Sequence, residues 1–366
     1  MGATRASGRN RASRKNLVTA GHCLLEDFDS LNREKTVFIL PVSSLEVHGY
    51  HLPNDTDMTS AVIMAEESGR LFAGKHADWK VVLLPLLNIG TDELPLPGSI
   101  EFSRQTVYRA LTEYARSLSR WGFRNLVITN GHGGPKHNLA IDDACRTCNR
   151  RYGMRVIAPG IRIFQDFIFG KRFRALEAEM SRKLTAAEKA GLTDLEHAGG
   201  WETSIILAEN RALVGKNYRA YGSSRIQLGK GVIRLARALE KIVRITPVLR
   251  GLMKALGQPL EEGVRFLVTA GKMYDQKKER YTYSGDPSVA SPGIGKAWKA
   301  AVAKEILLFM EKVFVSGETR PSSVVSNYSA IIFMRRDVQL ALRWALAAAI
   351  VCAAVISLVK TGILPF

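Results

Sequence analysis

The stretch Pro41-Val-Ser-Ser-Leu-Glu-Val-His-Gly-Tyr-His-Leu-Pro-Asn-Asp-Thr-Asp57 decides how this chain folds. Behind it, Thr36-Val-Phe-Ile-Leu40 is an apolar run closed by proline and reads as a buried strand. Ahead of it, Met58-Thr-Ser-Ala-Val-Ile-Met-Ala65 opens a helix. The stretch therefore lies at the C-terminal end of a strand, in the loop before a helix, where open α/β sheets hold their ligands. It carries Glu46, His48, His51, Asp55 and Asp57. On extended backbone, Glu46 and His48 point to the same face. A carboxylate, an imidazole and a second carboxylate nine residues on form a donor set for a divalent cation. Taken alone the match is short, and an ordinary polar loop accounts for it equally well.

Outward from that loop the pattern repeats. Residues 17–33 read as a capped helix and a short polar segment, and residues 59–71 as a helix. Trp79–Pro85 reads as a second buried strand, ending in the long Gly/Pro loop Asn88–Ser99. Ser103 caps a helix reaching about Trp121. Asn125–Thr129 is a third strand, residues 139–151 a helix and Met154–Ala158 a fourth strand. Strands alternating with helices predict a mainly parallel sheet covered on both faces. Two further stretches carry chemistry. Asn130-Gly-His-Gly-Gly-Pro135 places His132 between glycines at a strand end, where the backbone can approach a ligand closely. Glu196-His-Ala-Gly-Gly-Trp-Glu-Thr-Ser204 places Glu202 in the first turn of a helix, where the helix dipole also favours a carboxylate.

These three stretches, in this order, resemble the creatininase (creatinine amidohydrolase) family. The first matches its Ser-x-Glu-x-His-Gly-x-His-Leu-Pro motif, the second Asn-Gly-His-Gly-Gly, the third Glu-His-Ala-Gly-x-x-Glu-Thr-Ser; weaker echoes occur at Pro97-Gly-Ser99 and in 285–290. The resemblance covers about residues 30–210 and 280–315. It implies a three-layer α/β/α fold, a centre of two divalent cations (Zn, Mn or Fe), hydrolysis of a small or cyclic amide C–N bond, and a homo-oligomer. Residue by residue it implies Glu46, His48, Asp57 and His132 as metal ligands, with Asp57 bridging, and Glu196 and His197 as the pair beside the substrate. The family's name-giving enzyme has a glutamate two residues after the third-strand histidine. Here that place is Gly134, and Glu202 is the carboxylate expected to substitute. The chemistry suits these residue types: cations lower the pKa of water, His197 shuttles a proton to the leaving nitrogen, and Glu196 orients His197 or holds substrate.

The remaining features concern context. Four cysteines in 366 residues are too few for a disulfide scaffold. Cys145-x-x-Cys148 lies in a predicted helix with no second pair and reads as two ordinary helix cysteines. His51 and His137 are expected beside the site rather than as ligands. A formal charge of +18 suggests an anionic partner, nucleic acid or an acidic membrane. Nucleic acid is the weaker reading, because no base-reading motif or aromatic platform is present. Residues 1–16 read as a disordered basic arm and 17–316 as the catalytic domain, with a helical insertion at about 212–280. There, Val232, Leu235, Ala236, Leu239, Ile242 and Val243 oppose Lys230, Arg234, Arg237, Lys241 and Arg244, a basic amphipathic helix that either lies on an anionic membrane or docks on the core with its basic face in solvent. A linker over 317–337 leads to 338–360, an apolar segment whose residues 344–359 are uncharged, read as a single-pass C-terminal transmembrane helix. Arg335 and Arg336 ahead of it place the catalytic domain in the cytoplasm. The alternative function is a catalytically silent metal-binding member serving as a membrane-bound scaffold.

Overall fold

The computed structural model describes residues 16–193, 196–224, 282–318 and 335–360, without the side chains of 354–360, together with the isolated positions 234 and 238. The basic arm to residue 15, most of the insertion and most of the linker therefore lie outside the described residues.

The elements run β1 (Leu17–Thr19), α1 (Leu25–Asp29), β2 (Thr36–Ser43), α2 (Thr56–Lys75), β3 (Lys80–Leu83), β4 (Leu87–Asn88) and α3 (Arg104–Arg120). They continue with β5 (Asn125–Thr129), α4 (Pro135–Arg151), β6 (Arg155–Ile157), α5 (Gly160–Ile168), α6 (Phe173–Met180) and α7 (Ala186–Leu192). Last come α8 (Gly200–Glu209), α9 (Pro292–Met310) and α10 (Arg336–Lys360). The sheet order is β1-β3-β2-β5-β6, with β4 paired to the end of β2, and every pairing is parallel.

Strand alternation divides the core into two layers. Val37, Ile39, Val81, Val127 and Ile157 face a cluster built with Ile63, Met64 and Phe72 of α2, Phe164 and Phe167 of α5, and Trp298 and Val302 of α9. Phe38, Leu40, Val82, Leu126, Ile128 and Val156 face the opposite cluster, with Val107, Leu111 and Leu118 of α3 and Ala140, Ile141 and Ala144 of α4. A parallel sheet buried on both faces reads as continuous apolar runs, which is why β2 and β5 stand out in the sequence. Cys145 and Cys148 are buried in the second cluster, where burial pushes both thiols up, so they are packing residues.

Two expectations need correction. Residues 17–19 form an edge strand on β3 rather than the start of a helix; the chain turns helical only at Leu25. Three residues are too few to show a strand period. At the tail, α10 forms, but among the described residues no helix is long and apolar enough to cross a membrane. Over 336–353, α10 carries Arg336, Asp337 and Arg343, and such charges are costly in hydrocarbon. Arg335 and Asp337 pair with each other, and the Arg336 backbone N–H donates to Asp143 on α4, so the start of α10 is tied to the protein.

Candidate metal centre

The centre lies beyond the C-terminal ends of β2 and β5. The loop after β2 supplies Glu46 and His48; the first turn of α2 supplies Asp57, where a carboxylate also suits the helix dipole. His132 comes from the loop between β5 and α4, and Glu202 from the first turn of α8. All five side chains are buried. The structure brings Glu46, Asp57 and His132 together, and His48, Asp57 and Glu202 beside them.

Three imidazoles are arranged by one device. The His48 Nδ1–H donates to the Glu46 carbonyl (2.9 Å), the His132 Nε2–H to the Thr91 carbonyl (3.1 Å) and the His197 Nε2–H to the Val47 carbonyl (2.8 Å). A carbonyl only accepts, so each pinned nitrogen carries the hydrogen and the tautomer follows. The opposite nitrogens then face carboxylates. His48 Nε2 is 3.1 Å from Asp57 Oδ1 and 3.5 Å from Glu202 Oε2. His132 Nδ1 is 2.9 Å from Asp57 Oδ2 and 3.0 Å from Glu46 Oε2. His197 Nδ1 is 3.9 Å from Glu46 Oε2, and its ring stacks on His48 with centroids 4.3 Å apart. Neutral imidazole lone pairs and carboxylate oxygens cannot bond to one another. A proton or a cation has to stand between them, and histidines with the far nitrogen pinned this way are a metal-site arrangement.

Candidate ligand atoms within 4.8 Å of one another fall into overlapping sets: Glu46, Asp57 and His132; His48, Asp57 and Glu202; and Glu46, His48 and His197. Asp57 belongs to the first two, as a bridging carboxylate would. These oxygen and imidazole donors fit zinc or manganese. Glu202 joins the His48 side rather than His132. A Cβ at Gly134 would stand 2.4 Å from His132 Nε2 and 2.9 Å from the Thr91 carbonyl, so no side chain fits there beside this loop.

Among the described residues, the carboxylates Glu46, Asp57 and Glu202 are paired with histidines and not with Lys or Arg, and burial sets the rest. Burial opposes charge on His48, yet Asp57 and Glu202 push it up to about 10. Burial likewise opposes charge on His132, but Glu46 and Asp57 hold it well above its ordinary value. Asp57 and Glu46 resist burial and stay below the usual carboxylate range, Asp57 through His48 and His132, Glu46 through His132 and His197. Burial wins at Glu202, raised to about 7, and at His197, lowered to about 4.

Glu196 has a place in the backbone of the site. Its Oε1 accepts the Glu202 N–H (2.9 Å), so it closes the N-terminus of α8. Burial and Glu202 hold its carboxyl well above the usual range. Ala198, between these residues, takes a left-handed φ of 52° and donates its N–H to Glu202. His51 and His137 are buried and sit behind the ligands: His51 Nε2 is 3.0 Å from Thr203 Oγ1, and His137 Nε2 is 3.2 Å from Asn130 Oδ1. Sequence reasoning singled out the long Gly/Pro loop Asn88–Ser99 but not its residues Thr91, whose carbonyl meets His132, and Glu93, which is buried.

The family model for creatinine amidohydrolase (creatininase) matches residues 22–310. The mycofactocin precursor peptide peptidase of Mycolicibacterium smegmatis is 38% identical over 104 residues, 28% of this chain and 41% of that one. The creatinine amidohydrolase of Pseudomonas putida is 27% identical over 204 residues, 52% of this chain and 66% of that one. The chain spans about two fifths of the length of the peptidases it matches. A crystal structure of creatinine amidohydrolase superposes with a TM-score of 0.51 at 18% identity, covering 81% of this chain and 97% of the other, a likeness of fold. With the family model matched over most of its length, the chain belongs to the creatininase family.

Proposed function

We propose that this protein is a metal-dependent amidohydrolase that uses water to cleave a small or cyclic amide C–N bond. The observation that carries the reading is the three pinned imidazoles, His48, His132 and His197, turned lone pair first onto a buried carboxylate cluster. Glu46, Asp57 and His132 would hold one cation, and His48, Asp57 and Glu202 the other. A divalent ion there supplies Lewis-acid polarisation of the amide carbonyl and lowers the pKa of water.

The chain's own residues do the rest. His197 is neutral near pH 7, and its Nδ1 is the acceptor because Nε2 is committed to Val47. Nδ1 takes the proton of the attacking water and returns it to the leaving nitrogen, so amine and carboxylic acid part without a strong external acid. The Val47 carbonyl fixes the His197 tautomer, and His48 stacked beside it fixes the ring plane. Glu196 acts through the backbone: by closing α8 it holds Glu202 against His48. Of the relatives, one is named for a peptidase and one for creatinine hydrolysis, so linear peptide amides belong in the same substrate screen.

The test is metal-free protein reloaded with zinc or manganese and screened against cyclic and linear amides. Two cations per chain and turnover are expected; cation binding without any turnover would favour the silent scaffold, and no cation would end both readings. The exposed Trp344, Leu346, Ile350 and Val351 of α10 support attachment to a lipid surface through the tail. Liposome co-sedimentation of the full chain against a chain ending at residue 334 tests that part.

A further inference from the structure

Glu93 is used by nothing in the reaction just described. It is 2% exposed, and among the described residues neither Oε1 nor Oε2 has a hydrogen-bond partner from another residue. An isolated buried carboxylate costs several kcal/mol unless something answers its charge. Burial pushes its carboxyl up to about 7, against the pull of His132. Its surroundings are built to hold it there. The next residue's backbone N–H, that of Leu94, donates to Glu46 Oε1 at 2.7 Å, which ties the loop directly to the Glu46–His132 side of the centre. One residue before it, Asp92 has a left-handed φ of 74° and is clamped to the start of α4, with its Oδ1 2.6 Å from Lys136 Nζ. A Cβ on Gly90 would stand 2.3 Å from Glu93 Oε1, so the carboxylate occupies space that only glycine leaves. Among the described residues Ser44 Oγ nearby also lacks a hydrogen-bond partner, and Glu46 Oε2 meets imidazole nitrogens, His132 Nδ1 at 3.0 Å and His197 Nδ1 at 3.9 Å.

We propose that Glu93 is a positioning carboxylate for the cation held by Glu46, Asp57 and His132, joined to it through water and setting its affinity. The proposal rests on the two-cation reading above. It explains why orphaned polar atoms collect on the Glu46 side, and why the loop after β4 reaches over the centre. The three side chains of that cation position leave coordination places for solvent, and a carboxylate beyond them accepts the hydrogens of that solvent.

The experiment uses the full chain, stripped of metal, with zinc as the probe. Binding is followed by competition with a chromophoric chelator for wild type, Glu93→Gln and Ser44→Ala. In Glu93→Gln one of two zinc affinities is expected to fall about 10- to 100-fold while the other is unchanged. The metal-free variant should melt no lower than metal-free wild type, because glutamine keeps the shape and removes an unanswered charge. Two affinities equal to wild type would overturn the proposal, as would a lower metal-free melting temperature with both affinities retained. Wild type binding no zinc would overturn the functional reading itself, a separate result.

Discussion

Two regions of this molecule fold carboxylates away from water, and they answer the charge differently. Beside α6 and α7, Glu188 takes both arms of Arg182 at 2.7 and 2.9 Å, and Glu177 takes Lys183 and Lys189. At the strand ends, the ion-pair partners of Glu46, Asp57 and Glu202 among the described residues are all histidines. The first region completes itself, as a surface pair does. The second stays short of positive charge unless its imidazoles take protons or a cation arrives. Removing a group therefore has opposite readouts in the two places: a small change in stability in one, loss of a bound ion in the other.

The largest effect is expected at Asp57, the carboxylate common to both cation sets. Asp57→Ala should abolish both cations and turnover. In metal-free protein it takes the nearer carboxylate from His48 and His132, leaving Glu202 beside one and Glu46 beside the other, and about 3 kcal/mol of stability should be lost. Metal analysis and a denaturant melt check both halves. Retention of both cations would break the contrast between the regions.

His197→Gln should keep both cations yet lower turnover by about 10²–10⁴-fold, as for a lost proton shuttle. Loss of a cation in that variant would move His197 into the ligand set with Glu46 and His48.

Proton balance sharpens the comparison further. In metal-free protein, His48 is raised from 6.5 to about 10, so its stabilising contribution is full below 6.5 and disappears as pH rises through 10. A cation must displace that proton, so loading zinc near pH 8 in weak buffer should release protons. Glu188 runs the other way: Arg182 lowers it from 4.5 to about 2, so its contribution is present above 4.5 and is lost as pH falls through 2. The smallest effect belongs here. Glu188→Gln should cost about 1 kcal/mol or less and leave the cation count unchanged.

The legible parts of this architecture were those where one residue type has one use. Thr36–Leu40 and Asn125–Thr129 announced buried parallel strands because both faces are covered. Glu46, His48, Asp57 and His132 lay in motifs whose spacing carries across a strand end. Glu93 was hidden because a single Glu in a Gly/Pro loop has no period and no fixed partner; burial made it significant, and burial there is a tertiary fact. Glu196 was legible as a residue, but its closing of α8 was not, since that depends on how the loop before the helix turns. The tail shows the limit of composition: an apolar run forms α10, but at its start Arg335 pairs with Asp337 and the Arg336 backbone N–H donates to Asp143.

Anomalous diffraction from crystals grown with zinc tests the central claim most directly. Two peaks are predicted, one in contact with Glu46, Asp57 and His132, the other with His48, Asp57 and Glu202, sharing the Asp57 carboxylate. No peak within reach of those five side chains, in protein shown to be folded, would contradict the account.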